Sequence, residues 1–345
     1  MIYVSAPGRA GIVGNPSDIY GGTVISSAIG ERAEVYLREN SRLIFDTGGQ
    51  MAAIDEPESL QFGGPLPYLD IARAVWRYLT GDDDRYMDGI EVDPAATFHL
   101  RAKTTIPMKA GCAGSTAMLA SILAALLAYF GSRPDRYHLA EMSRHIERTV
   151  LGVDCGFQDQ YMVSFGGLNV MNFAGKETGW EADDAPYASV EALASSVPDR
   201  SQLPIVLVNT GRREGTSGAY HRSPRERWEA GEEKFVHGFE QIAQLAEEGR
   251  DALLKHDWKR LGELMNENYR LRVELFGTTE VIDSIIKAAL KHGALGAKLA
   301  GAGNGGTCII IHEDSRYLIG KMMGHEIDRI IPIDPHQEGL QVEEY

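Results

Sequence analysis

The chain has 345 residues, 43% of them hydrophobic and 24% charged, a globular composition long enough for two domains. Its formal net charge of -15 disfavours a nucleic-acid or anionic-membrane partner, and no apolar run reaches the ~20 residues of a membrane span. Cys112, Cys155 and Cys308 are too few and too scattered for a disulfide framework or a zinc site, and the opening lacks the basic-then-apolar pattern of a secretory signal, so a cytoplasmic protein is expected.

In chain order, the stretch 6–22, APGRAGIVGNPSDIYGG, interrupts an apolar opening with five glycines and two prolines. Arg9, Asn15, Ser17 and Asp18 stand between them. Short β-rich runs at 2–5, 23–26, 34–38 and 43–45 predict an antiparallel start. Leu69, Ala72, Val75, Trp76 and Leu79 fall at helical spacing, and a strand pair is expected near 88–103.

Residues 107–131 read PMKAGCAGSTAMLASILAALLAYFG. Met118, Leu119, Ile122, Leu123, Leu126 and Leu127 describe a buried helix, with Ser115 or Thr116 at its N-cap or in its first turn. Gly111 and Gly114 permit a loop whose N–H groups point one way, and the helix adds its own free donors, so an anion would be held there. No Gly-Lys-Ser/Thr closes a Walker A loop, but Lys109 lies on the approach and Ser115 and Thr116 would reach a metal on the phosphates. An ordinary helix cap is the alternative.

A further helix is expected over 136–150, followed by a glycine turn and FQDQ. Glu147 and Asp159 are carboxylates at places suited to a magnesium ligand and a proton acceptor, which phosphoryl transfer to a hydroxyl needs. Taken singly, each also reads as a solvated helix acid or a cap.

A strand at 168–173, a Gly/Ala/Ser/Asp/Pro-rich connection at 174–200, a strand at 205–209 and helices over 224–291 come next. The segment 298–307, KLAGAGNGGT, contains G-x-G-x-x-G at Gly301, Gly303 and Gly306. The β-branched run TCIII follows it where a dinucleotide site requires a helix, so it reads as a glycine turn between strands with its backbone bare for close approach.

Order and spacing of these three motifs resemble the GHMP kinase superfamily, which includes galactokinase, homoserine kinase, mevalonate kinase and phosphomevalonate kinase. The resemblance implies an α+β GHMP kinase fold. Residues 1–175 would form an N-terminal domain like domain 2 of ribosomal protein S5, 176–200 a connection, and 201–345 a ferredoxin-like C-terminal domain. It also implies ATP with its phosphates over Gly111, Cys112, Ala113, Gly114, Ser115, Thr116 and Ala117, with Lys109 nearby. Mg²⁺ would lie between Ser115 or Thr116 and Glu147. Asp159 would take the proton or orient the hydroxyl, and Arg9 would stand near the transferring phosphate. Asn15, Ser17, Asp18, Gln158, Gly301 and Gly303 would face the acceptor.

Within the superfamily GNPSDIYGG, GFQDQ, SGAYHRSPRERW and LAEEGRDALL are similar to plant-type glucuronokinases. Glucuronate is therefore the expected acceptor, as a monomeric or homodimeric enzyme's small-molecule partner. The segment 212–228 carries five Arg, one His and two Glu, and a solvated helix start is its alternative reading. A uronate carboxylate would fall to Arg225, with His221 and Arg222 behind it. The chain departs from the glucuronokinase pattern at Cys112 for Leu, Thr116 for a second Ser and Asn304 for Gly. Another acceptor on the same fold, such as galacturonate, a heptose phosphate, an inositol or mevalonate, stays open. So does a non-catalytic sensor, although Arg9, Glu147 and Asp159 together oppose it.

Overall fold

A computed structural model describes residues 1–63, 67–107, 110–176, 186–197, 203–213, 217–301, 305–322, 324–325 and 327–345. Lys109, Gly303 and the side chains of His221 and Arg222 lie outside the described residues.

Two long antiparallel strands, β1 (Ile2–Val13) and β2 (Thr23–Glu39), found the first sheet. The runs expected at 23–26 and 34–38 are parts of one strand. Register shifts between Pro7 and Arg9 and between Gly11 and Val13 absorb the prolines and glycines that interrupt the sequence pattern. β3 (Ile44–Thr47) and β4 (Gln50–Ala53) form a hairpin, and β5 (Phe98–Thr104) joins it to β2. Of the strand pair expected near 88–103 only β5 exists; residues 88–97 run through turns.

β6 (Leu168–Asn172) pairs with the start of β2, and β7 (Ser189–Ala192), inside the expected connection, pairs with β6. The outer neighbour of β1 is β12 (Gln341–Glu344), so the C-terminal half gives a strand to the first sheet.

Four helices lie with this sheet: α1 (Asp70–Leu79), α2 (Gly114–Tyr129), α3 (Arg136–His145) and α4 (Gln158–Phe165). Every residue of α2 from Thr116 to Ala128 is buried, because the helix is apolar all round and packs on β1 and β2 with α1, α3 and α4 about it. A π-turn, Ile146–Val150, extends α3.

The second sheet runs in the order β11 (Arg329–Ile331), β8 (Ile205–Arg213), β10 (Gly305–Ile311), β9 (Gly296–Leu299), all antiparallel. Around it stand α5 (Ser217–Glu229), α6 (Glu233–Leu254), α7 (Trp258–Phe276), α8 (Glu280–Lys291) and α9 (Ser315–Met322). One apolar cluster is continuous from β1 and α2 through Ala246, Leu253, Leu261 and Met265 to Ile309 and Ile311. Among the described residues no helix is long and apolar enough to cross a membrane.

Candidate active site

The three glycine-rich stretches meet where the halves join. Arg9 N–H donates to Cys112 O and Gly11 N–H to Ala300 O, each at 3.1 Å. A Cβ on Gly301 would lie 2.5 Å from Gly111 O. Gly301, with no side chain, thus admits the loop at Gly111 beside it and also lines the cavity.

In that loop Gly111 (φ 73) and Ala113 (φ 59) are left-handed with Cys112 between them, an alternation that turns successive N–H groups to one side. Ala113 is the residue before α2 and pays the cost of a Cβ in this conformation, the kind of strain found at ligand clamps. Ser115 is exposed; Thr116 is buried, and its hydroxyl donates to Glu147 Oε1 at 2.8 Å. Ala117 turns into the core, its N–H spent on Ala113 O at 2.8 Å.

Cys112 points inward at 1% exposure, with Sγ 3.5 Å from Thr307 Oγ1, and burial pushes its thiol pKa up. Alkylating reagents should leave it unmodified with and without ATP and Mg²⁺, as read by mass spectrometry of the Cys112 peptide. Rapid modification that ATP blocks would place the thiol in the phosphate site instead.

Glu147 is buried on the π-turn, a local widening of the helix that recurs at functional sites. Thr116 bonds one oxygen and Gln160 Nε2 the other. Burial raises its pKa to about 7, Asp159 adds to the rise, and the two hydrogen bonds oppose it. Asp159, in the first turn of α4, is 32% exposed and accepts from Arg9 Nε at 2.7 Å and from Nη2, both on Oδ1. Arg9 Nη1 donates to Gly111 O at 2.6 Å and to Ala300 O at 3.3 Å.

Asp18 Oδ2 accepts the N–H groups of Phe157 and Gln158 at 2.9 and 3.0 Å, at the start of α4. Burial raises its pKa against those bonds. A Cβ on Gly156 would overlap this carboxylate, so only glycine lets the 152–156 loop pass. Asp18 therefore aims the helix that carries Asp159. Ser17 differs from expectation: its hydroxyl turns inward to Thr23 O at 3.1 Å, and the cavity wall runs from Pro16 to Asp18 without it.

A cavity of about 1110 Å³ brings together Arg9, Asn15, Asp18, Gly111 to Thr116, Glu147, Gln158, Asp159 and Gly301. Its wall also includes Asp46 and Thr47 of β3, Tyr68 just before α1, Ile71 of α1, and Arg101 and Lys103 of β5. Nothing in the sequence pattern singled these out, since strand pairing and an α1 contact assemble them. Arg225 bonds Glu229 at 2.7 Å and Asp154 at 3.5 Å; Asp154 belongs to the cavity wall.

Among the described residues no group of three or more His, Cys, Asp or Glu is placed to hold a metal. The donors present nevertheless fit magnesium, which takes one or two carboxylates and completes its octahedron with phosphates and water. They are hard oxygens: the Glu147 carboxylate, the hydroxyls of Ser115 and Thr116, and the buried Gln160 Oε1, which has no partner in the described structure.

Family models for the GHMP kinases N terminal domain and the GHMP kinases C terminal region match residues 71–167 and 250–323. The chain is 31% identical over 312 residues to "Probable glucuronokinase 2" of Arabidopsis thaliana, covering 86% of this chain and 80% of that protein. It is 26% identical to the D-glycero-alpha-D-manno-heptose 7-phosphate kinase of Campylobacter jejuni, covering 88% and 87%. The crystal structure of Lactococcus lactis galactokinase complexed with galactose superposes with a TM-score of 0.75 at 18% identity, covering 99% and 95%.

Proposed function

The chain belongs to the GHMP kinase family of small-molecule kinases, and from that membership we propose that it moves the γ-phosphoryl group of ATP to the anomeric hydroxyl of glucuronate. The products are ADP and glucuronate 1-phosphate. One observation carries the reading: the Arg9 guanidinium bonds Asp159 on the acceptor side and Gly111 O on the phosphate side of one cavity. Likeness to a glucuronokinase supports the choice of sugar.

The loop from Gly111 to Ala113 offers its N–H groups to the phosphates, and Tyr68 and Ile71 of the cavity wall give the base apolar surface. Glu147, Ser115 and Thr116 would hold magnesium, which would supply neutralisation of the phosphate charge. Asp159 Oδ1 is committed to Arg9, so Oδ2 receives the anomeric hydroxyl and its proton. Among the described residues four of the five guanidinium N–H groups of Arg9 are engaged, which leaves one on Nη2 for the moving phosphoryl group.

ADP release measured over glucuronate, galacturonate, glucose, a heptose phosphate and mevalonate tests the assignment, with the phosphorylated carbon read by ³¹P NMR. Glucuronate should be used best and at C1. A heptose phosphate is the second reading, favoured by the Campylobacter relative, and it too is anionic. ADP release with none of them would leave the sensor.

Arg225 is the residue we assign to the uronate carboxylate, which reaches it by displacing Asp154, held at 3.5 Å against 2.7 Å for Glu229. Arg225→Lys should weaken use of glucuronate by about 1.5–3 kcal/mol, the worth of a charged hydrogen bond, and leave ATP affinity unchanged. Comparison of kcat/KM on glucuronate and glucose checks this: equal losses on the two sugars would make Arg225 structural.

A further inference from the structure

Lys298 on β9 has 0% of its surface exposed and, among the described residues, no ion-pair partner. Its Nζ donates to Asn15 Oδ1 at 2.6 Å, to Leu299 O at 2.8 Å and to Gly11 O at 3.3 Å. Three acceptors require three N–H groups, which only the ammonium form has. Burial, with Arg272 and Arg9 nearby, drives its pKa well down, so the position is a costly one for a lysine. An apolar side chain of similar length would fill the same space without that cost. What it would not do is hold the Asn15 amide.

The main chain of the same loop is held from another element. Asn268 on α7 donates from Nδ2 to Asn15 O at 3.1 Å and accepts Gly14 N–H at 3.0 Å. Asn15 is thus fixed by backbone and side chain from the C-terminal half, and it lines the cavity with Arg9 and Asp18. With Oδ1 engaged by Lys298, the group Asn15 has left for a ligand is its NH₂ donor.

We propose that Lys298 is a positioning residue for the phosphoryl acceptor: it locks the Asn15 amide so that the NH₂ group donates to an acceptor oxygen. This rests on the reading that the acceptor lies against residues 14–18. It adds that the C-terminal half, through Lys298 on the Asn15 amide and Asn268 on its main chain, sets the position of an acceptor-facing residue of the N-terminal half.

The test compares Lys298→Met, Asn15→Ala and the double variant in steady-state kinetics, with ATP and acceptor varied separately and thermal stability measured on each. Lys298→Met should raise the acceptor KM about tenfold and move the ATP KM by less than about twofold. The double variant should be no worse than the weaker single one, because the lysine acts through Asn15. Additive losses, or equal shifts of the two KM values, overturn the proposal. Should Lys298→Met fail to fold, Asn15→Asp retains a partner for Nζ but removes the NH₂ donor. It should raise the acceptor KM by about the same factor with stability kept, and a wild-type KM would overturn the idea. A crystal structure of whichever variant folds separates this from the kinase assignment. In Lys298→Met the Asn15 amide should leave its wild-type orientation, and in Asn15→Asp the carboxylate should stay on Lys298. The opposite result refutes positioning whichever sugar is the substrate, whereas wild-type enzyme inert towards every sugar refutes the kinase assignment alone.

Discussion

Asp159→Asn is expected to lose roughly 100-fold or more in kcat while binding ATP as the wild type does. The asparagine keeps an oxygen for the two Arg9 N–H groups that Oδ1 accepts, so the bridge from α4 to Gly111 survives. What is lost is Oδ2, whose amide replacement cannot take a proton. Rapid-quench turnover and calorimetry with ADP measure the two halves of this expectation. Turnover within a few-fold of wild type would reduce Asp159 to a partner of Arg9.

Glu147→Gln is expected to raise the Mg²⁺ concentration for half-maximal rate by about tenfold or more, on the scale of one charged contact. The wild-type requirement should itself depend on pH. With its pKa at about 7, Glu147 must shed a proton before it can ligate, so half-saturating Mg²⁺ should climb as pH falls from 8 to about 6 and flatten in the variant. Stability runs the other way. The folded value lies above the ordinary 4.5, so protonation contributes stability that is complete below about 4.5 and is lost as pH rises through about 7. The metal-free wild type should therefore lose melting temperature relative to Glu147→Gln over that window. Parallel profiles for the two proteins would return Glu147 to an ordinary helix acid.

The sequence was most legible where order is local. α1 and α2 follow from apolar spacing, and the loop before α2 from its glycines, because i to i+4 packing leaves its signature in neighbouring residues. It was least legible where order is long-range. β1 and β2 read as fragments, since bulges hide a continuous strand behind Pro7 and the glycines. β7 and β12 join the first sheet through partners far along the chain, which no window can show. In the site, Arg9 stood out among glycines and apolar residues, and Glu147 and Asp159 as carboxylates on either side of a glycine turn. Lys298 did not, because a lysine beside a glycine turn looks like surface until its three acceptors are seen. Ser17 was misplaced for the converse reason: a hydroxyl between a proline and an aspartate reads as cavity lining until it is seen on Thr23 O.

The place of β12 beside β1 has a bearing on biosynthesis. During translation the strand that carries Arg9 emerges early, and the strand that covers its outer edge leaves the ribosome only after the second sheet and all its helices have been made. Until then the nascent first sheet keeps a row of unpaired backbone groups on β1, from Ile2 to Ser5, open to neighbouring chains. A fragment ending at residue 175 would keep that edge permanently and should aggregate where the whole chain does not. Chaperone dependence during synthesis should therefore track the wait for residues 341–344.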